Sequence, residues 1–316
     1  MHAELIATRV AGATVAGVFD VVPDAATATA QRLNVAAFGS VADVMASDAD
    51  AVAICTSTPT HVDLIVAAAE AGKAIFCEKP VSLDLEEVDR GLAAVTAAGV
   101  PLHIGFNRRF DPSHAAVRAA VAAGEVGELR QLRISSRDPE PPPIDYVKVS
   151  GGIFLDMTIH DFDMARFVTG SEVVEVYATG SVMVDPAIGA EGDLDTVTVM
   201  LTHQNGVTTT IDNCRQSAFG YDQRVEAFGS LGIVASENHT ATSTIRRSAA
   251  GSTGAVVPHF FLERYIPSYV YQWEQFVAAV RDGTQTPVTG ADGRAPLVIG
   301  LAAKLSAVSN QPVRIS

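Results

Sequence analysis

The stretch Phe76-Cys77-Glu78-Lys79-Pro80 decides how the rest of the chain is read. The apolar run from Lys73 to Cys77 predicts a short buried strand. Pro80 has no backbone N–H to give to a sheet and predicts where that strand stops. Glu78 and Lys79 then emerge at the carboxyl edge of the sheet, where α/β enzymes keep their reactive groups. A solvated Glu-Lys turn is the alternative for these residues taken alone, and the flanking segments decide between the two.

Upstream, residues 3–10 carry a helical apolar pattern that ends near Gly12, and Thr14 to Phe19 predicts a strand closing on Asp20. An acidic residue at the end of the second strand of a dinucleotide-binding sheet accepts from the adenosine ribose and repels a 2′-phosphate. A helix or turn cap is the other use of such a residue. Helices are predicted near Pro23 to Leu33 and Val41 to Met45, with a short segment at Ala36 to Phe38 between them. Ala51 to Cys55 is wholly apolar, as suits a parallel strand covered on both faces. It leads into Thr56-Ser57-Thr58-Pro59-Thr60-His61 and a helix from about Val62 to Ala71. Small hydroxyl residues at such a turn can hold a phosphate or carboxamide, or simply cap the helix.

Downstream of Lys79, Asp84 and Glu87 predict a capping box for a helix ending at Gly99, and Pro101 to Phe106 is one more strand. Strand and helix alternate at this spacing in a doubly wound parallel sheet, so residues 1–106 read as one α/β domain.

Residues 107–316 change pattern. After a helix near Pro112 to Ala123, strands are predicted at Leu129 to Ser135, Glu172 to Val184, Asp195 to His203, Gly206 to Arg215 and Asp222 to Phe228. Their alternating polarity predicts an α+β domain with a largely antiparallel, open sheet. Within it, a helical reading of Gly151 to Asp163 puts Asp156 and His160 on one face, where an acid can orient an imidazole base. Asp156, His160 and Asp163 could also ligate a divalent ion. No further ligand cluster accompanies them, and no metal is expected.

Composition bounds the partners. A net charge of −14 opposes a surface that tracks phosphates, so no nucleic acid is expected. Cys55, Cys77 and Cys214 form no Cys-x-x-Cys spacing, and the first two fall in predicted buried strands, which fits reduced cytosolic thiols. No basic lead into an apolar run and no stretch of about 18 apolar residues occurs. A soluble, cytoplasmic protein without a membrane partner is expected. The one biased segment, Asp138-Pro139-Glu140-Pro141-Pro142-Pro143, predicts a stiff polyproline-like loop.

Taken together, Glu78-Lys79-Pro80, the strand ending at Asp20, Phe106-Asn107-Arg108-Arg109-Phe110-Asp111-Pro112 and the Asp156 to Asp163 segment resemble the glucose–fructose oxidoreductase and inositol dehydrogenase family. Ser136-Arg137-Asp138-Pro139, Gly220-Tyr221-Asp222-Gln223-Arg224 and Phe260-Phe261-Leu262-Glu263-Arg264-Tyr265 extend the likeness over nearly the whole chain. The combination is specific where no single motif is. The resemblance implies a Rossmann-like NAD domain followed by a substrate and oligomerisation domain. It implies an NAD-dependent oxidation of a cyclic polyol, foremost myo-inositol to its 2-ketone, with Lys79, Asp156 and His160 catalytic. Asp20, Thr56, Ser57, Pro59, His61, Glu78 and Lys79 become the expected cofactor contacts, and Asn107, Arg108, Asp138 and Tyr221 the expected polyol contacts. A homotetramer built through the open sheet face is the implied assembly.

Family members begin with a strand and a Gly-x-Gly-x-x-Gly turn, whereas this sequence opens inside the first helix with no such glycines ahead of Asp20. The expectation from this is a natural start about 10 to 20 residues earlier, an unpaired gap where the first strand belongs, and weak NAD binding by the chain as given. Two alternatives stay open at this point: another sugar or polyol dehydrogenase of the family, and a dehydrogenase-like binding protein without turnover.

Overall fold

In the computed structural model, which describes residues 1–315, the apolar runs become strands and the capped polar segments become helices. The chain divides into two compact units, residues 1–107 with 267–294, and residues 108–266 with the chain from Ala295 onward. The sequence division at 106/107 assigns 267–294 to the second half, whereas the tertiary contacts group that segment with the first unit.

The first unit runs α1 (His2–Arg9), β1 (Gly17–Val18), α2 (Pro23–Leu33), β2 (Ala36–Ala37), α3 (Val41–Ala46), β3 (Ala51–Ile54), a 3-10 turn (Thr58–Thr60), α4 (His61–Glu70), β4 (Ala74–Cys77), α5 (Leu85–Ala98) and β5 (Leu102–Ile104). All strand pairs in it are parallel: β1 with β2, and β3 with β4 and β4 with β5. The described residues of the unit form two separate parallel sheets, because β1 and β3 do not pair; this is the unpaired gap expected between the strand ending at Asp20 and the strand ending at Cys55. The strand predicted over Thr14 to Phe19 is correspondingly short, with ladder pairs only at Gly17 and Val18. Cys55 lies exposed beyond the end of β3, contrary to the buried position expected of it, while Cys77 is buried.

Local chemistry sets the helix ends. The Asp84 carboxylate accepts from Glu86 N and Glu87 N to start α5, and Gly99, at φ 66°, ends it. Removing such a cap costs about 1 kcal/mol. The reciprocal half of the predicted capping box is absent, because Glu87 turns to Arg90 and Asp84 N donates to Ser82. Under β4 a cluster of Val10, Ala74, Phe76, Trp273 and Phe276 is buried, with the Phe76 and Trp273 rings stacked at 4.1 Å. Burying Phe76 alone is worth roughly 1.5 to 3 kcal/mol.

The second unit continues from a 3-10 turn (Asn107–Phe110) through α6 (Pro112–Ala122), β6 (Leu129–Arg137), α7 (Ile144–Ser150), α8 (Ile153–Asp156), α9 (Ile159–Thr169), β7 (Val173–Ser181) and α10 (Pro186–Ala190). Then come β8 (Thr196–His203), β9 (Thr208–Cys214), β10 (Asp222–Gly229), β11 (Ile233–Ser236), the hairpin β12 (Ile245–Ser248) and β13 (Gly251–Gly254), α11 (Phe261–Asp282), α12 (Gly290–Ser309) and β14 (Val313–Arg314). Helices α11 and α12 each contribute residues to both units.

Seven strands form one sheet in the order β11-β10-β6-β9-β8-β7-β14, antiparallel except where β6 pairs with β9. Alternation divides its faces as the sequence predicts: Val197, Val199 and Leu201 of β8 are buried while Thr198 and Met200 between them are exposed. The buried face packs on Val117 of α6, Phe162 and Val168 of α9, and Ile299 and Ala303 of α12.

Candidate active site

In the first unit the turn bearing Lys79 is held from three sides. Glu78 N donates to Ile54 O of β3 at 2.9 Å, Gly105 N donates to Cys77 O at 2.8 Å, and His61 Nδ1 lies 2.9 Å from Pro80 O. The Glu78 carboxylate lies 3.0 Å from His2 Nε2, and Trp273 donates to the other ring nitrogen of His2. The carboxylate lies so close over Gly105 that a Cβ there would meet it at 2.8 Å and push it aside. Lys79 is half-buried on this turn, and its bond to Pro80 is cis.

The expected cofactor residues fall into three settings. Asp20 is exposed and its Oδ1 accepts from Val22 N at 2.9 Å, so it caps a turn with one oxygen. Thr56, Ser57 and Pro59 are exposed at the turn after β3. Thr60 Oγ1 donates to Ser57 O at 2.8 Å, so the 2.7 Å contact between the two threonine hydroxyls is donated by Thr56. The Thr56 proton is thereby spent inside the turn, leaving its oxygen as an acceptor and the Ser57 hydroxyl as a donor. His61, expected among the cofactor contacts, is buried, with its ring nitrogens on Pro80 O and Thr56 O at 2.9 and 3.0 Å. It braces the Thr56 turn against the Lys79 turn from within.

In the second unit the single helix expected over Gly151 to Asp163 is broken, and the correction bears on the acid and base. Gly151 and Gly152 both have positive φ, 86° and 85°, and α8 stops at Asp156. Thr158 N donates back to Ile153 O at 2.9 Å, tightening the chain before α9 begins. Asp156 is therefore the last residue of α8 and His160 the second of α9, not two positions on one helix face. Gly152 is needed where it stands, because a Cβ on it would meet Asp193 Oδ1 at 2.7 Å. That same oxygen accepts from Ile153 N and starts α8.

Asp156 is clamped. Its Oδ1 accepts from the Tyr146 hydroxyl at 2.8 Å and its Oδ2 from Arg215 Nη1 at 3.1 Å. Arg215 is fully buried, with Nη2 3.6 Å from Asp193. Asp138 lies half-buried in the same field: burial pushes its carboxyl up to about 6, against the opposing pull of Arg108 and Arg215.

Of the other expected polyol contacts, Asn107 is buried in the first unit, with Nδ2 3.5 Å from Ser268 Oγ. Arg108 anchors a buried network in the second. Its Nη1 donates to Asp161 at 2.8 Å and Ser136 at 3.0 Å, and its Nη2 to the Tyr221 hydroxyl at 3.3 Å. Asn213 donates to the second oxygen of Asp161 at 2.8 Å and accepts from Thr158 at 2.6 Å. Asp163 is taken by Arg109 through both oxygens, at 2.6 and 2.8 Å, which removes it from the metal reading. Among the described residues no group of three or more His, Cys, Asp or Glu could hold a metal ion, and no helix is long and apolar enough to cross a membrane.

Residues 1–106 match the model of the oxidoreductase family with an NAD-binding Rossmann fold, and residues 114–235 match the GFO/IDH/MocA C-terminal domain. The inositol 2-dehydrogenase of Rhizobium meliloti is 45% identical over 316 residues, 100% of this chain and 96% of that one. The chain belongs to the GFO/IDH/MocA family. The myo-inositol 2-dehydrogenase of Thermotoga maritima is 48% identical over 266 residues, 84% of this chain and 80% of that one. Among solved structures, the scyllo-inositol dehydrogenase of Lactobacillus casei with bound NAD(H) and scyllo-inositol superimposes with a TM-score of 0.92 at 27% identity, covering 99% of this chain and 94% of that one. As a family member the chain is an oxidoreductase whose first unit is a Rossmann-like domain for NAD.

Sequence reasoning missed Tyr146, Arg215, Asp161 and Asn213. Arg215 was findable, because it stands at the end of an alternating strand, the position that singled out Lys79. The others carry no local signal.

Proposed function

We propose that the chain oxidises a secondary alcohol of a cyclic polyol, with myo-inositol as substrate and the 2-ketone as product. The observation that carries this is the clamped Asp156 standing four residues before His160, with a lysine on a braced strand-end turn, in a chain 45% identical along its full length to an inositol 2-dehydrogenase. The donor set of the first unit suits NAD: a carboxylate at Asp20 for the ribose, and the Ser57 hydroxyl with the acceptor oxygen of Thr56 at the turn after β3. Bound there, NAD supplies the hydride acceptor.

An alcohol gives up hydride only as its proton leaves, so the chain must hold a base and a cation at that oxygen. In this reading His160 takes the proton and Asp156, fixed by Tyr146 and Arg215, stabilises the imidazolium that results. Lys79 donates to the oxygen as charge builds on it. Asn107, Asp138 and Tyr221 present an amide, a carboxylate and a hydroxyl to the remaining hydroxyls, and Arg108 holds Tyr221 in place.

The test is NADH absorbance on mixing the chain with NAD and myo-inositol, followed by the same assay with scyllo-inositol and open-chain sugars. His160→Ala should lose about 10² to 10⁴ in kcat while the Kd for NAD is unchanged. Near-wild-type turnover in that variant assigns the proton transfer elsewhere. NAD binding with no turnover on any polyol favours a binding protein without catalysis.

A further inference from the structure

We propose that Tyr146 is a positioning residue for Asp156, holding one carboxylate oxygen while Arg215 holds the other. The inference rests on the catalytic reading of Asp156 given above. Tyr146 lies in α7, a short helix that follows Pro141-Pro142-Pro143, and its hydroxyl donates to Asp156 Oδ1 at 2.8 Å. The opposite oxygen accepts from Arg215, whose guanidinium is fixed by full burial and by Asp193. With a donor on each side, the carboxylate plane has one orientation.

Each partner would be a poor clamp alone. Arg215 by itself leaves rotation about the Asp156 side chain open, and the tyrosine hydroxyl by itself offers a single neutral bond. Two donors reaching from opposite sides fix both angle and charge. The hydroxyl is a permanent donor: its partial burial, and then the charge of Asp156, push the phenol above its ordinary range, so it keeps its proton. Tyr146 itself is 48% exposed, and packing alone gives little reason for a tyrosine there. Its hydroxyl has a reason, and that reason is Asp156.

The stiff segment ahead of α7 fits this role. A proline-rich approach reduces the freedom of the unfolded loop and delivers Tyr146 with little further ordering. The Gly151-Gly152 turn that follows, with Asp193 beneath Gly152, fixes the start of α8 and so the other end of the pair.

The experiment is a double-mutant cycle on the full chain with NAD and the polyol: Tyr146→Phe, Asp156→Asn, and both together. A hydrogen bond to a charged group is worth enough that Tyr146→Phe should lower kcat roughly tenfold or more, with the KM for NAD unchanged. In the Asp156→Asn background the same change should cost nothing further. Val149→Ala, an exposed change on the same helix, should leave all these values as they are. An equal loss from Tyr146→Phe in both backgrounds, an unchanged kcat, or a loss that falls on the KM for NAD instead of kcat overturns the proposal. Wild-type turnover in Asp156→Asn is a different failure, that of the catalytic reading itself.

Discussion

In the first unit the arginine ion pairs lie on the surface: Arg90 with Glu87 and Asp63, Arg294 with Asp89, Arg32 with Glu4. In the second unit several are buried, with Arg108 on Asp161, Arg264 on Asp111 and Arg215 on Asp156. Surface pairs compete with water and contribute little to folding, whereas a buried pair holds its geometry because neither member can be left alone. The first unit offers a cofactor backbone turns and hydroxyls. Under the proposed function, the second offers a polyol side chains whose orientation has been fixed by charge. A dinucleotide can be recognised by main-chain geometry at strand ends, but a ring of similar hydroxyls is told apart only by side-chain donors and acceptors held in place.

Breaking one pair in each unit gives the largest predicted contrast. Arg108→Met leaves Asp161 buried and uncompensated and should destabilise the chain by about 3 to 5 kcal/mol in urea titration. Asp161→Leu should do the same through Arg108, and the double change should recover most of the loss while abolishing turnover, since Tyr221 loses its partner. Arg90→Ala, on the surface of the first unit, should not move the midpoint measurably. A mild effect of Arg108→Met would mean that water reaches Asp161 and that the second unit is not built on buried charge.

The same contrast governs how much was legible in sequence. The strand-end position of Lys79, the acid after β1 and the hydroxyl turn after β3 are local features of the sequence, and the bonds of the last two join near neighbours: Val22 to Asp20 spans 2 residues and Thr56 to Thr60 spans 4. In the second unit Arg108 reaches Asp161 across 53 residues, Arg215 reaches Asp156 across 59 and Arg264 reaches Asp111 across 153. No periodicity records such pairings. Strand alternation did locate the antiparallel sheet, because it depends on each strand alone. The helix over Gly151 to Asp163 misled for a related reason. The break at Met157-Thr158 depends on Asn213, which takes the Thr158 hydroxyl and belongs to β9.

A second prediction sharpens the first unit's side of the contrast. If main-chain and single-charge features define the cofactor site, Asp20 alone should set the preference for NAD over NADP. An exposed carboxylate close to a 2′-phosphate costs about 1 to 3 kcal/mol, so the ratio of kcat/KM values should favour NAD by tenfold to a hundredfold and should fall in Asp20→Ser. Equal values for both cofactors in the parent chain would make Asp20 a turn cap and nothing more.

The smallest predicted effect concerns Asp138, whose charge in the second unit depends on pH. Burial raises its carboxyl from an ordinary 3.8 to about 6, while Arg108 and Arg215 pull the other way. A folded-state value above the unfolded one means that the native chain holds this proton more tightly. Its contribution to stability is therefore complete below about pH 4 and is lost as pH rises through about 6. Asp138→Asn imitates the protonated form at every pH. The variant should be more stable than the parent above about pH 6, by roughly 1 to 2 kcal/mol, and the difference should close as pH falls toward 4. Denaturant titrations of the two chains across that window measure it, and taking their difference cancels the other groups that titrate there. If Asp138 contacts the polyol as proposed, the polyol reads the same change, because a protonated Asp138 donates to a hydroxyl and an ionised one only accepts. The KM for myo-inositol should thus vary through this window in the parent and stay flat in Asp138→Asn. A stability difference independent of pH would mean that Arg108 and Arg215 keep Asp138 ionised throughout. The second unit would then present a fixed acceptor at this position, as rigid in charge as the clamped Asp156.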